Sequence, residues 1–122
     1  MRYSILLAPV FAAAEALSGA AAADPVAEIV TFRLNPDVTE SQLVDAAKGT
    51  ITYLDSTGAV ISRSLSVDAD GLWTDYILWT SMYAAKAAEE LAVSRPEFGT
   101  FFSLMDENTV NLRHAPVRMR MD

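Results

Sequence analysis

The chain has 122 residues, no cysteine and a formal net charge of −7 at pH 7. This length favours a single domain. The missing cysteine excludes disulfides, thiolate metal sites and cysteine nucleophiles, and the acidic balance argues against a nucleic-acid partner.

Residues 1–23 have the features of a secretory signal peptide. Arg2 gives a cationic start, an apolar run covers residues 5–14, and small side chains form an Ala-x-Ala site that ends at Ala23. Glu15 interrupts the pattern, which leaves an uncleaved, alanine-rich amphipathic helix as the alternative.

We therefore expect a mature domain at residues 24–122, located in the periplasm or secreted, or in the cytoplasm if the leader is uncleaved. The apolar run is shorter than the ~20 residues that a helix needs to cross a bilayer, so no stable membrane span is expected.

The mature domain is predicted to begin with a strand and a helix. Residues 26–34 alternate and are rich in β-branched and aromatic side chains, which predicts a strand. Thr39 and Gln42 have the spacing of a capping box, so a helix is predicted after Thr39, with its end near Asp55.

Asp70-Gly71 stands between two alternating runs, which predicts an antiparallel hairpin of residues 59–67 and 72–80. A loop of even length gives each face a fixed set of side chains. One face would carry Ile61, Arg63, Leu65, Val67, Leu72, Thr74, Tyr76 and Leu78, and the other Val60, Ser62, Ser64, Ser66, Trp73, Asp75, Ile77 and Trp79. Both faces hold large apolar groups, and the chain's own helices can cover only one of them, so we expect a homodimer.

The rest of the chain is predicted to hold a second helical section and a last strand. Ser81 is a predicted N-cap for an alanine-rich helix over residues 82–93, and a short irregular helix follows over residues 96–105. Residues 109–115 form the last predicted strand. The order βαββαβ predicts an α+β, ferredoxin-like fold with a four-stranded antiparallel sheet and helices on one face.

Three segments resemble the dimeric α+β barrel superfamily. They are EIVTFRLNPDVTESQL, the hairpin pattern Gly-Leu-Trp-x-Asp-x-x-x-Trp that leads into an alanine-rich helix, and a closing strand that ends Arg-His-Ala-Pro. The superfamily includes antibiotic biosynthesis monooxygenases, haem-degrading monooxygenases and muconolactone isomerase-like proteins. The resemblance spans residues 26–117, and it implies two sheets packed face to face in a homodimer, with a pocket between the sheet and the helices of each subunit.

The resemblance also bears on cofactors. Some members of the superfamily need no cofactor and hold polyaromatic substrates or haem with Asn, Trp, Arg, Tyr or His side chains. The haem-degrading members keep an asparagine on the first strand, where this chain has Glu28 and Thr31 as its polar residues. This departure argues against haem chemistry, and we expect no cofactor.

His114 is the only histidine and lies on the last predicted strand. A lone strand histidine is commonly a structural group, but it could also act as a catalytic base or hydrogen-bond donor at the floor of a pocket. No metal site is expected, because the acidic pairs, such as Glu89-Glu90, have predicted surface positions and only one histidine to join them.

Five aromatic or cationic residues are candidate ligand contacts: Trp79, Tyr76, Arg63, Phe101 and Phe102. Trp79 is most simply a core or interface aromatic, and alternatively it offers a flat wall to an aromatic ligand. Arg63 faces Tyr76 in the predicted hairpin and would suit an anionic or enolic ligand. A cation on an apolar face needs a partner, so an ion pair with a helix carboxylate such as Asp45 is the structural alternative.

Three functions remain open at this point. The first is an exported dimeric barrel that binds a small apolar or aromatic molecule, with or without turnover. The second is a cofactor-independent monooxygenase of the antibiotic-biosynthesis type. The third is a structural or interaction dimer whose pocket is filled by Phe98, Phe101 and Phe102. A cavity of ~300 Å³ or more beside Trp79 and His114 would favour the first two.

Overall fold

The computed structural model describes residues 24–122, so the predicted signal peptide lies outside the described residues. Nine elements follow one another: β1 (Val26–Phe32), α1 (Glu40–Lys48), α2 (Ile51–Ser56), β2 (Val60–Val67), β3 (Trp73–Trp79), α3 (Met82–Ala92), α4 (Pro96–Ser103), a 3₁₀ turn (Glu107–Thr109) and β4 (Asn111–Pro116). The predicted order βαββαβ is confirmed, with each helical section split into two helices.

The four strands form one antiparallel sheet in the order β2-β3-β1-β4. The two central strands are β3 and β1, and the helices pack on one side of them. The chain therefore has the predicted ferredoxin-like fold. Within residues 24–122, every helix is too short or too polar to cross a membrane.

The first helical section begins as predicted and breaks earlier than predicted. Thr39 and Gln42 form the capping box, with each side chain accepting a hydrogen bond from the other's backbone N–H. Gly49 has a low helix propensity, and the buried Thr50 donates its hydroxyl proton to the carbonyl of Ala47 at 2.6 Å. The prediction of a single helix that ends near Asp55 was therefore wrong, because α1 ends at Lys48 and α2 starts at Ile51.

The predicted hairpin is confirmed, but its predicted faces were wrong. Val67 pairs with Trp73, so the loop has five residues, 68–72. An odd loop length moves every side chain of β3 to the opposite face relative to β2. Arg63 consequently lies beside Ile77 in the register, and Tyr76 lies beside Ser64 on the other face.

The sheet has a face covered by helices and an open face. The covered face carries Val26, Glu28, Val30, Phe32, Arg63, Leu65, Trp73, Asp75, Ile77 and Trp79, and the core forms where these meet buried helix residues such as Leu43, Ala85, Ala88, Ala92 and Phe101. The open face carries Ala27, Ile29, Thr31, Ser62, Ser64, Ser66, Thr74, Tyr76 and Leu78. The small side chains of α3 let that helix approach the sheet closely, as the alanine pattern predicts.

Candidate functional site

A cavity of about 420 Å³ lies between the covered face of the sheet and helices α2, α3 and α4. Its walls are mainly apolar and include Tyr53, Ile77, Trp79, Ala88, Phe98 and Phe102. This volume is within the range of small-molecule sites, and the mixture of aromatic walls with a few polar groups is typical of them.

The cavity has a buried inner end and an exposed mouth. Trp79 and Glu28 at the inner end are 1% and 7% exposed. The lining residues Val93, Phe102 and Leu112 are exposed and mark the mouth. A ligand that enters between them would place its deepest atoms against Trp79 and Glu28.

Glu28 is the buried acid of this site. The indole Nε1 of Trp79, on the neighbouring strand, donates a hydrogen bond to Oε1 of Glu28 at 2.6 Å. Burial, followed by the charge of nearby Glu89, raises the pKa of Glu28 from its ordinary value of 4.5 to about 7, against the lowering effect of the Trp79 hydrogen bond. Glu28 can therefore gain or lose a proton near neutral pH.

Glu89 and His114 extend this polar end. His114 lies opposite Glu28 in the pairing of β1 with β4, and its Nε2 is 2.5 Å from Oε2 of Glu89 on α3. Glu89 lines the cavity, whereas His114 reaches it only through Glu89. The three side chains come from three elements and converge at the inner end of the cavity.

Arg63 lies outside the cavity and has a structural partner. Its Nε and Nη2 donate to the two carboxylate oxygens of Asp75 at 2.9 and 2.8 Å, and its Nη1 donates to the hydroxyl of Thr50 at 2.8 Å. The expected pairing of Arg63 with Tyr76 was wrong, and so was Asp45 as the alternative partner. The corrected hairpin register explains the difference, because it brings Asp75 onto the face of Arg63.

The remaining predicted site residues occupy different places. Trp79 and Phe102 line the cavity. Phe101 is buried in the core, where its ring lies 6.3 Å from that of Phe32 in an edge-on arrangement. Tyr76 lies on the open face of the sheet, away from the cavity.

Glu28 and Glu89 are site residues that the sequence patterns did not predict. Glu28 had a readable signal, because it interrupts the apolar side chains that alternate along the covered face of β1. Glu89 was assigned to the surface, and this was wrong, because its side chain turns toward the cavity and His114. The described side chains include no group of three His, Cys, Asp or Glu residues that could hold a metal ion.

Sequence comparisons identify no relative: no family model matches the chain, and no curated protein gives a significant match. Comparison with solved structures does give matches. A monooxygenase, ActVA-Orf6 of Streptomyces coelicolor, solved with the ligand nanaomycin D, has a TM-score of 0.64 at 19% identity, over 80% of this chain and 91% of that chain.

Two further structures have the same fold. SnoaB, a cofactor-independent oxygenase from Streptomyces nogalater, has a TM-score of 0.56 at 13% identity, over 82% of this chain and 97% of that chain. A dimeric ferredoxin-like protein of unknown function from Thermobifida fusca has a TM-score of 0.61 at 10% identity, over 77% of this chain and 92% of that chain. The chain therefore has the ferredoxin-like fold that the sequence predicts, and these three structures share that fold.

Proposed function

We propose that the protein binds a small aromatic or otherwise apolar molecule in the cavity, with the polar end of that molecule at Glu28. The observation that carries this proposal is the buried Glu28 carboxyl at the inner end of a cavity of about 420 Å³ with mainly apolar walls. A buried carboxyl destabilises a fold unless it is neutralised or paired, and such groups in clefts are candidates for functional sites.

The packing of the phenylalanines argues against a purely structural dimer. That hypothesis requires Phe98, Phe101 and Phe102 to fill the pocket. Phe98 and Phe102 instead form part of its walls, and Phe101 packs in the core. The cavity that remains exceeds the ~300 Å³ lower limit for ligand sites.

A cavity-filling substitution tests the proposal. Ala92 lines the cavity, and Ala87 lies on the same helix outside it. With 1-naphthalenemethanol as the probe, we expect Ala92→Leu to weaken binding by about tenfold or more, because the added side chain occupies the space of the aromatic body. Ala87→Leu is the matched control and should bind as the wild type does. Equal affinity of both variants would contradict the proposal, provided that thermal melts show both to be folded.

A second candidate function is that of a cofactor-independent monooxygenase. Its support is the fold shared with SnoaB and ActVA-Orf6, together with a carboxyl whose pKa of about 7 lets it accept a proton from a bound substrate. Loss of that proton from an activated CH₂ group gives an electron-rich anion that O₂ can oxidise. The CH₂ group and O₂ become a carbonyl and water, which balances the reaction.

Oxygen uptake tests this second function. We expect the protein to accelerate O₂ consumption by 1,8-dihydroxyanthrone, whose CH₂ group is acidified by the neighbouring carbonyl-bearing ring system. Glu28→Gln should abolish the acceleration, because an amide cannot accept the proton. Uptake at the protein-free rate would exclude oxygenation of this substrate class and would leave ligand binding as the function.

We also propose that two chains pair through the open face of the sheet. Tyr76 is exposed and Ile29 is half-buried on this face, which the helices do not cover, and the Thermobifida fusca structure with the same fold is described as dimeric. Sedimentation of residues 24–122 at micromolar concentration should give two chains, and Tyr76→Arg should give one. A well-folded wild-type monomer would contradict this arrangement.

Export is the final part of the proposal. Its support is the signal-like sequence of residues 1–23. Mass spectrometry of the protein expressed from the full-length gene in a bacterium should find a mature N-terminus at or near Asp24. Soluble cytoplasmic protein that retains Met1 or Arg2 would contradict export.

A further inference from the structure

The cavity has mainly apolar walls, and its ionisable lining residues are all acids. Among residues 24–122, three lining residues carry acidic side chains, Glu28, Glu89 and Glu107, and no lysine, arginine or histidine lines this cavity. The protein as a whole also carries a net charge of −7. The electrostatic potential inside the cavity therefore favours a positively charged or neutral ligand over an anion.

The basic side chains on neighbouring elements already bond other acids. His114 pairs with Glu89, and Arg63 pairs with Asp75. Among the described residues, no lysine, arginine or histidine forms an ion pair with Glu28. The negative charges of Glu89 and Asp75 both oppose ionisation of Glu28. Without a cation beside it, the Glu28 carboxyl therefore favours its protonated, neutral form.

We propose that the ligand is a primary amine, with an aromatic or aliphatic body in the cavity and its ammonium group between Glu28 and Glu89. This inference rests on the proposed ligand-binding function and specifies the class of molecule. An ammonium group has three N–H donors, and the two carboxylates supply acceptors for them. Trp79, whose side chain is of the aromatic type that attracts cations, lines the same cavity.

When an amine binds, its ammonium group would replace the proton on the Glu28 carboxyl. Glu28 releases its proton when the ammonium group arrives, because the ionised carboxylate then has a cationic partner. An alcohol of the same shape fills the same walls but supplies a single hydrogen-bond donor and no charge. A carboxylic acid of the same shape brings a further negative charge close to Glu28 and Glu89, and it should bind least.

Three probes with the same naphthyl body separate these effects: 1-naphthylmethylamine, 1-naphthalenemethanol and 1-naphthoate. Isothermal titration at pH 7 should show the amine binding about tenfold or more tightly than the alcohol, with the carboxylate weakest. Titration of the amine in two buffers with different ionisation enthalpies should show release of protons on binding, since the raised pKa of Glu28 leaves it partly protonated near neutral pH.

Matched variants locate the effect. Glu28→Gln and Glu89→Gln should each remove most of the preference for the amine, and Glu28→Gln should also remove the proton release. Glu90→Gln is the control, because Glu90 is exposed on the same helix and does not line the cavity. It should bind the amine as the wild type does.

The outcomes separate this inference from the function on which it rests. An alcohol that binds as tightly as the amine, with no effect of Glu28→Gln on either, overturns the amine inference and leaves the cavity as a ligand site. Failure of all three naphthyl probes to bind overturns both. A preference for the amine that survives in both Glu28→Gln and Glu89→Gln overturns the assignment of the ammonium group to these two residues.

Discussion

Trp79 and Glu28 form a buried hydrogen bond of 2.6 Å across strands β3 and β1, in which the indole Nε1 donates to Oε1 of the carboxyl. Trp79 is almost fully buried, so its donor has a fixed position. The bond orients Glu28 at the inner end of the cavity before any molecule enters. A preorganised acceptor of this kind reduces the entropy that is lost on binding.

Glu28 should make stability depend on pH. Its pKa is raised from 4.5 to about 7 in the folded protein, so the folded state keeps a proton that the unfolded state has already released between these values. The contribution of Glu28 to stability is therefore complete below pH 4.5 and is lost as the pH rises through 7. Relative to Glu28→Gln, the wild type should lose up to about 3 kcal/mol of unfolding free energy across this range.

Urea unfolding of both proteins at pH 5 and pH 8 measures this difference. Glu28→Gln should be the more stable protein at pH 8, since its neutral amide occupies the same buried place without the cost of a charge. Glu90→Gln serves as the control and should follow the wild type. If the unfolding free energies of the wild type and Glu28→Gln differ by the same amount at both pH values, Glu28 does not make stability depend on pH.

Arg63 should contribute to stability and not to ligand binding. Its guanidinium group and the Asp75 carboxylate are both largely buried and bonded at two points. Arg63→Met leaves Asp75 buried without its cation, which should cost about 3–5 kcal/mol of unfolding free energy. The double variant Arg63→Met with Asp75→Leu should recover part of that loss, because it removes the unpaired charge.

The same urea measurements with 1-naphthalenemethanol titrations test the placement of Arg63. The expected result is a large loss of stability with little change in affinity for the folded fraction. A change of under ~1 kcal/mol in stability, the size of an exposed ion pair, combined with lost probe binding would place Arg63 in the site.

His114 should also act mainly through structure. Its side chain is 10% exposed and bonds Glu89, but it does not line the cavity. His114→Ala should lower stability by about 1–3 kcal/mol, because it opens a void and deprives Glu89 of its partner. Affinity for the neutral 1-naphthalenemethanol should change by less than about threefold, which corresponds to under 1 kcal/mol.

Thermal melts and the same titration decide the role of His114. Arg113→Ala is a neighbouring control, since Arg113 is exposed on the same strand. An unchanged melting temperature together with a tenfold or greater loss of affinity would make His114 a direct contact of the bound molecule.

The order of elements could be predicted because its signals are local. The capping box joins Thr39 to Gln42, and Ser81 caps α3 by a bond from the N–H of Ala84 to its hydroxyl. Each of these devices acts within one helical turn, so the sequence spacing contains the whole interaction. The hairpin position follows in the same way from Asp70-Gly71.

The side chains on each face of the hairpin are determined by the exact length of the loop, which the Asp70-Gly71 signal does not specify. Oδ1 of Asp68 accepts hydrogen bonds from the backbone N–H groups of Asp70 and Leu72, and the Asp68 N–H donates to the carbonyl of Leu72. These bonds organise a loop of odd length. Because the loop has an odd number of residues and not an even number, the side chains of β3 lie on the faces opposite to those predicted. Arg63 therefore shares its face with Asp75 and not with Tyr76.

The site was only partly predictable for a different reason. Trp79 and Phe102 were selected because large aromatic side chains commonly line ligand cavities, and both do line this one. The contact of Glu89 with His114 joins residues 25 positions apart, on α3 and β4. Such a contact depends on how the helix is rotated over the sheet, and single-residue patterns do not specify that rotation.

The most direct test of the cavity proposal uses the two tryptophans as reporters. Trp79 lines the cavity, whereas Trp73 is buried in the core and stacks with Phe32. In a ¹H–¹⁵N spectrum, the two indole N–H signals can be followed during titration with 1-naphthalenemethanol and then with 1-naphthylmethylamine. We expect each probe to shift the Trp79 indole signal in a saturable way and to leave the Trp73 signal in place. Two indole signals that stay unchanged at saturating concentrations of both probes would contradict the cavity proposal.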